Sequence, residues 1–229
     1  MEMYGKHSKS IPQKSIILGI ALVCLWLSYR IMFQAEGEFI LEWFGIESIR
    51  ATFERRMIIF FFSLIIFLRI GFTMTFLLKR RIALEETFSI PLAFALYFVG
   101  FALLVLPKDT AIDIVDYAGI LIFLAGSFLN TASEIQRDRF KENPSNKGKL
   151  YTGGLFRYSM HINYFGDLLW VTGYAILTRN WHSAIIVLLL FCFFVFYNIP
   201  KLDRYLASKY GEDFREYSAK TKKLIPFVY

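Results

Sequence analysis

Cysteine is scarce in this chain. There are two in 229 residues, Cys24 and Cys192, and both lie inside apolar runs. Such thiols act as small hydrophobes, which argues against a disulfide framework and against a thiolate metal site. Histidine is almost as rare, and His7, His161 and His182 have no metal-ligand spacing, so no metal is expected. Also missing are a G-x-G-x-x-G turn after a strand, a Walker loop and an H-E-x-x-H helix. Any nucleotide cofactor would therefore need a site that is not a Rossmann crevice. No internal repeat or low-complexity segment is visible. No small-residue cleavage site follows the first apolar run, which reads as an anchor and not as a signal peptide.

Apolar side chains are abundant instead. They make up 56% of the chain, with 25 Phe, whereas soluble domains stay near about 45–50%. The excess is segmental, which favours an all-α polytopic membrane protein over one large soluble core. Six spans are expected, at 15–33, 57–78, 87–106, 114–130, 164–178 and 182–199, the fifth being short. The whole of 1–229 reads as one membrane domain, with 15–130 as a four-helix scaffold and 131–229 as the region that carries polar chemistry. Gly119 and Gly126 suit close helix packing. Pro200 is read as the end of the sixth span, with a basic tail from Lys201 to Tyr229. Between the first two spans, Glu36, Glu38, Glu42 and Glu47 mix with Phe39, Trp43 and Phe44. That pattern fits an amphipathic interfacial helix or an ordinary solvated loop.

The net charge is +7. The cations cluster beside apolar segments, so they read as topology signals, and no nucleic-acid partner is expected. The expected partners are the lipid bilayer and a lipophilic small molecule. Oligomeric state is not legible. The N-terminus, the 79–86 loop, the 131–163 loop and the tail are the strongly basic segments. Placing them on one side puts both termini in the cytoplasm. Arg50, Arg55 and Arg56 are exceptions, since they fall on the opposite side. Arg69 lies near the middle of the second span. A charge there costs at least about 2.5–3.5 kcal/mol, so it should face the protein interior. It reads equally as a substrate or anion contact and as half of a structural pair.

Polar chemistry concentrates in Tyr151–Trp170. For a helix beginning near Ile162, Asn163, Asp167, Trp170 and Tyr174 share one face. Asn and Asp on such a face can orient an amide or a ribose, or can merely satisfy neighbouring helix ends. In the tail, Asp203, Leu206, Tyr210, Phe214 and Tyr217 form a second stripe, with Gly211 as a possible break. On its own that stripe reads as a basic helix docked by its aromatic face or drawn to anionic lipid.

Two stretches resemble known families. Gly154–Asp167, G-L-F-R-Y-S-M-H-I-N-Y-F-G-D, resembles a signature of integral-membrane steroid 5α-reductases and sterol reductases, with their P-N-Y-F-G-E and R-H-x-N-Y-x-G-D. The tail Lys201-x-Asp203, Lys209-Tyr210-Gly211, Tyr217 and the closing Leu224-Ile225-Pro226 resembles their C-terminal pattern. The likeness runs from Glu134 to Tyr229 and fits a bacterial branch best in length, which implies the bacterial inner membrane. It implies a membrane oxidoreductase that takes hydride from NADPH onto a carbonyl-conjugated C=C bond of a steroid-like or other lipid substrate. By the same resemblance Glu134, Arg157, His161, Asn163, Tyr164, Asp167, Lys201, Asp203 and Tyr210 are candidates for the cofactor. Tyr97 and Arg69 are the candidates for catalysis, Tyr97 as the Tyr that polarises a substrate carbonyl. Met160 stands where the sterol reductases carry Arg, and Ile162 where the steroid reductases carry Pro.

The tail also resembles isoprenylcysteine carboxyl methyltransferases, through Asp203, Leu206, Gly211 and Tyr217. That likeness implies S-adenosylmethionine in place of NADPH. Asn163 between His161 and Tyr164 is the reductase-like feature. A non-catalytic membrane protein with a degenerate site is the third reading.

Overall fold

The structure, a computed structural model, describes residues 10–46 and 51–229. The N-terminal lysines Lys6 and Lys9, together with Glu47 and Arg50, lie outside the described residues. Within them the chain is helical, with no strand. Among the described residues, five helices are long and apolar enough to cross a membrane: Ile11–Phe33, Phe53–Leu77, Leu84–Val105, Ile114–Glu142 and Trp181–Tyr210. The remaining expected span is the helix Ile162–Leu177, of 16 residues. At about 24 Å it is shorter than a hydrocarbon layer of about 30 Å. The chain divides into two compact units, Met1–Leu121 with Val171–Ile186, and Ile122–Trp170 with Val187–Tyr229.

In the first unit, α1 (Ile11–Phe33) begins with Pro12 in its first turn, where the missing N–H costs nothing. It packs against α3 (Phe53–Phe72) and α4 (Leu84–Ala95). Thr52 caps α3 by accepting from the Arg55 N–H at 3.4 Å, and Glu86 caps α4 by accepting from the Ala83 N–H at 3.1 Å. Both helices continue through a π turn, Thr73–Leu77 after α3 and Leu96–Gly100 after α4, the latter running into α5 (Phe101–Val105). The acidic stretch is a helix, α2 (Glu36–Trp43), and not a loop. It buries Gly37 and Leu41 and exposes Phe39 and Trp43. Gly37 is required there, because a Cβ would run into the Ile31 carbonyl at the end of α1.

Two of the exceptional arginines, Arg55 and Arg56, are structural. Arg55 is fully buried and paired with Asp116 of α6 (Ile114–Glu142). Its guanidinium also donates to the carbonyls of Leu177 at 2.9 Å and of Thr110 and Ala111 at 3.1 Å. Arg179 reaches the same Asp116 carboxylate at 3.1 Å. Arg56 donates to the Ala51 carbonyl at 3.0 Å and lies over the Phe33 and Phe53 rings. Neither residue is a free loop charge.

Two expected boundaries are corrected. The polar segment after Asn130 continues α6 as far as Glu142, because polar side chains end a span without ending a helix. Pro200 does not close the last span either. After α8 (Ala184–Phe193), the π turn Phe194–Asn198 leads into α9 (Ile199–Tyr210), where Pro200 occupies the first turn. Gly211, at φ 53°, then breaks the tail before α10 (Glu212–Lys220).

Candidate functional site

The polar residues of the second unit meet where α6 runs beside α7 (Ile162–Leu177). Glycine permits the approach. A Cβ on Gly166 would meet the Asn130 backbone nitrogen at 2.6 Å and the Gly126 carbonyl at 2.8 Å. The close contact brings α6 side chains onto the first turns of α7. Asn130 donates to the Asp167 carboxylate at 2.9 Å and to the Asn163 carbonyl at 3.1 Å. Trp170 donates its indole N–H to the same Asp167 oxygen at 2.8 Å. One turn further along α6, Glu134 accepts from the Asn163 carboxamide at 2.9 Å and pairs with Arg137. Two carboxylates and two carboxamides thus form one hydrogen-bonded set, with Asn163 buried and Asp167 half-buried.

A second set is built on the tail. His161 is 1% exposed, and its Nε2 lies 2.8 Å from Asp203 Oδ1 on α9. Lys223 Nζ stands 3.5 Å from the other Asp203 oxygen. The His161 ring stacks on Tyr164 at 5.5 Å between centroids, and Tyr164 stacks on Phe194 at 4.5 Å. The backbone holds this in place. The N–H groups of Met160 and His161 donate to the carbonyls of Lys222 and Lys223 at 2.8 and 3.1 Å, and the Ser159 hydroxyl donates to the Leu224 carbonyl at 2.8 Å. Leu224 is fully buried with Leu168, Phe194 and Ile199, so the closing Leu-Ile-Pro serves as an anchor.

Met160 has a packing role. It is buried with Phe214 and Tyr217 of α10, beside Leu206 and Tyr210 of α9. The tail stripe read from the sequence is therefore the face that docks on the α7 entry loop. Tyr217 donates to the Phe156 carbonyl at 2.6 Å. Burial pushes its phenol well above the usual range, which keeps it protonated and donating.

The structure thus brings together Glu134, Asn163 and Asp167 as one set and His161, Tyr164 and Asp203 as another. Tyr210 belongs to the docking face beneath Met160. Arg157 is exposed and lies over the Tyr158 ring at 4.7 Å. Lys201 lies over Tyr197, on the side of α9 opposite Asp203. The two catalytic candidates belong to the first unit. Arg69 is half-buried in the last turn of α3. Tyr97 is buried in the π turn, edge-on to Phe94 at 6.1 Å. Sequence reasoning missed Asn130, Ser159 and Lys223. It also missed Gln136, whose amide oxygen accepts from the Leu155 N–H at 2.9 Å. For Asn130 a signal existed, since Asn130, Glu134, Arg137 and Lys141 recur at i, i+4, i+7 and i+11 once α6 is carried past its apolar part. Among the described residues no cluster of His, Cys, Asp and Glu has the arrangement of a metal site.

A family model described as "Protein of unknown function (DUF1295)" matches residues 79–221. Among curated proteins, the chain is 25% identical over 232 residues to "Probable O-methyltransferase ustE" of Ustilaginoidea virens, a match covering 90% of this chain and 82% of that protein. It is 30% identical over 115 residues to "Steroid 5-alpha-reductase DET2" of Gossypium hirsutum, covering 49% of this chain and 42% of that one. To "Probable protein-S-isoprenylcysteine O-methyltransferase" of Oryza sativa subsp. indica it is 24% identical over 119 residues, covering 50% and 62%. The chain therefore spans less than two thirds of the latter two relatives. The similar proteins are reductases and methyltransferases alike.

Proposed function

We propose that this chain, which belongs to the DUF1295 family, is a membrane oxidoreductase that reduces a carbonyl-conjugated C=C bond of a lipophilic substrate with NADPH. The observation that carries this reading is the Glu134–Asn163 pair beside Asn130–Asp167. A nicotinamide carboxamide both donates and accepts, and the Asn163 carboxamide with the Glu134 carboxylate offers the complementary groups. Ribose hydroxyls need acceptors, and Asp167 is a half-buried one. Diphosphate needs cations, and Arg137 and Lys223 stand at the edges of the two sets. These residues fit the cofactor without a Rossmann turn. NADPH, when bound, supplies the hydride.

The chain's own residues supply position. Asn130 and Trp170 fix the Asp167 carboxylate from two directions. Asp203 fixes the His161 ring through Nε2, and Tyr164 flanks that ring. We assign the substrate carbonyl to Tyr97, whose hydroxyl would donate to it, with Arg69 as a second contact. We also place both termini on the cytoplasmic side, with Glu134 and the tail facing the cofactor pool, following the basic segments.

One observation favours a second reading. The match to the O-methyltransferase covers 90% of the chain, which points to S-adenosylmethionine. Purified protein titrated with each cofactor separates the two. Trp170 is bonded to Asp167, so its emission reports occupancy. Saturable NADPH binding that weakens at least tenfold in Asp167→Ala is expected. Tyr97→Phe should lower turnover and leave NADPH binding intact. Saturable S-adenosylmethionine binding with none of NADPH would replace the reductase by the methyltransferase. Binding of neither, with the fold intact by circular dichroism, would refute both.

A further inference from the structure

Helix α2 is short, and its sides meet different surroundings. Gly37 and Leu41 are buried, and a Cβ on Gly37 would run into the Ile31 carbonyl and the Leu106 side chain. That side is pressed on the ends of α1 and α5. Glu36 pairs with Arg30 in the last turn of α1. Glu38 falls on the far side of the helix from Glu36, with Glu42 one turn beyond it. Phe39 and Trp43, also one turn apart, fill the remaining side. They are 64% and 78% exposed, and their rings meet edge-on at 6.3 Å between centroids. Phe44 follows them and is 74% exposed.

This aromatic side continues the outward side of α1. Leu22, Trp26 and Arg30 recur every four residues along α1, and Leu22 and Trp26 are exposed. The Arg30 guanidinium lies over the Trp26 ring at 5.3 Å and holds Glu36. Trp43 stands two turns after Glu36 on the same side of α2, so it extends that column past the end of the span. α2 itself starts within one turn of the end of the apolar helix Ile11–Phe33. Other exposed rings gather at this end: Phe53 at the start of α3, Tyr117 in the first turn of α6 and Trp181 after α7. The chain is tied together there. The Ala51 N–H donates to the Leu106 carbonyl at 3.1 Å, and the Asn180 carboxamide donates to the Leu104 carbonyl at 3.0 Å. Trp and Tyr collect at the level where a bilayer meets water.

From this geometry we infer that α2 lies in the bilayer interface, with Phe39, Trp43 and Phe44 among the glycerol and upper acyl groups of the leaflet in which α1 ends. The occupant is lipid, because the aromatic side is continuous with the outward side of a spanning helix. A protein partner has too little to hold. Three aromatic side chains bury about 450–750 Å² at most, short of the roughly 800 Å² per partner that a stable interface takes. The carboxylates fit the same placement. Glu36, on the side that Trp43 shares, has the Arg30 counter-charge, whereas Glu38 and Glu42 stand on other sides of the helix. Immersion to about 5–10 Å also sets the level at which α1 ends, because Gly37 is packed on the Ile31 carbonyl. The inference does not depend on which cofactor the site takes.

The test is tryptophan fluorescence of the full chain in phosphatidylcholine liposomes. Emission present in the parent and absent from Trp43→Phe is that of Trp43, and the exchange keeps an aromatic ring in place. This difference signal should be quenched more by phosphatidylcholine brominated near the carbonyl end of its chains than by lipid brominated near the methyl end. Acrylamide in the water should quench it several times less than it quenches a free indole. Glu42→Trp/Trp43→Phe moves the indole off the aromatic side by one position. Its emission should be open to acrylamide and lose most of the bromine quenching. Equal access of acrylamide to positions 42 and 43 would overturn the proposal, since α2 would then stand in water. So would protection of Trp43 from both quenchers, which would mark cover by protein, a second copy included.

Discussion

Replacing Asp116 with alanine should be among the most damaging single changes in this chain. Its carboxylate faces two guanidinium groups, the fully buried Arg55 and the mostly covered Arg179. Without it, Arg55 keeps the carbonyls of Leu177, Thr110 and Ala111 but no counter-charge, and it sits beside a second cation. A buried charge stripped of its partner costs about 3–5 kcal/mol. A domain's whole stability is about 5–15 kcal/mol, so the loss is about a fifth of it or more. Asp116→Asn should cost less, because the amide oxygen can still accept from Arg55. Arg55→Met/Asp116→Leu should be milder than Asp116→Ala, because it removes the buried charge along with its partner. Unfolding in mixed detergent micelles, followed by far-ultraviolet circular dichroism, gives the free energies. A loss below about 1 kcal/mol for Asp116→Ala, or a double variant as unstable as the single one, would refute this account.

Tyr217→Phe should destabilise the second unit by about 1–3 kcal/mol, because the buried Phe156 carbonyl loses its donor. The pH dependence has a definite sign. Burial raises the Tyr217 phenol above its unfolded value of about 10. Its stabilisation is therefore complete below that value and declines as pH rises from there toward the folded pKa. Unfolding midpoints measured across that alkaline range should fall more steeply for the parent than for Tyr217→Phe. Gly126→Ala should be costly, since a Cβ there would meet the Gly166 carbonyl at 2.6 Å and the Leu169 Cβ at 2.7 Å, forcing α6 and α7 apart at about 1–3 kcal/mol. Gly19→Ala is the control, with nothing within 4 Å of its new Cβ. Thermal unfolding of both variants in detergent checks this, and equal midpoints would count against the tight crossing.

Hydropathy located the spans because it reads the solvent around a segment. For the same reason it misplaced their ends. Thr131–Glu142 and Lys201–Tyr210 are polar and still helical, and it was the spacing of Asn130, Glu134 and Arg137 that held the missing signal. Arg55 was a misleading topology charge because its partner Asp116 is 61 residues away, beyond any local pattern. Asn163 and Asp167 stood out at one-turn spacing, and the structure ties them together through Asn130. The link from His161 to Asp203 spans 42 residues; both residues were singled out, but their pairing is a tertiary fact. Met160 was read as an arginine lost from a motif. Its packing under Phe214 and Tyr217 shows an apolar contact in that place.

The stitching of the α7 entry loop to the tail also has a consequence in time. Ser159 and the Lys223 carbonyl it reaches lie 64 residues apart. At about 5–20 residues per second, translation takes roughly 3–13 s to cross that distance. Until then the amides of Met160 and His161 have no tail carbonyls to bond, and for much of that time His161 has no Asp203. Membrane insertion of the earlier helices therefore precedes assembly of the His161 set, which is built on the tail. A nascent chain held before Lys222 would be threaded into the bilayer with the α7 entry loop not yet tied to its tail.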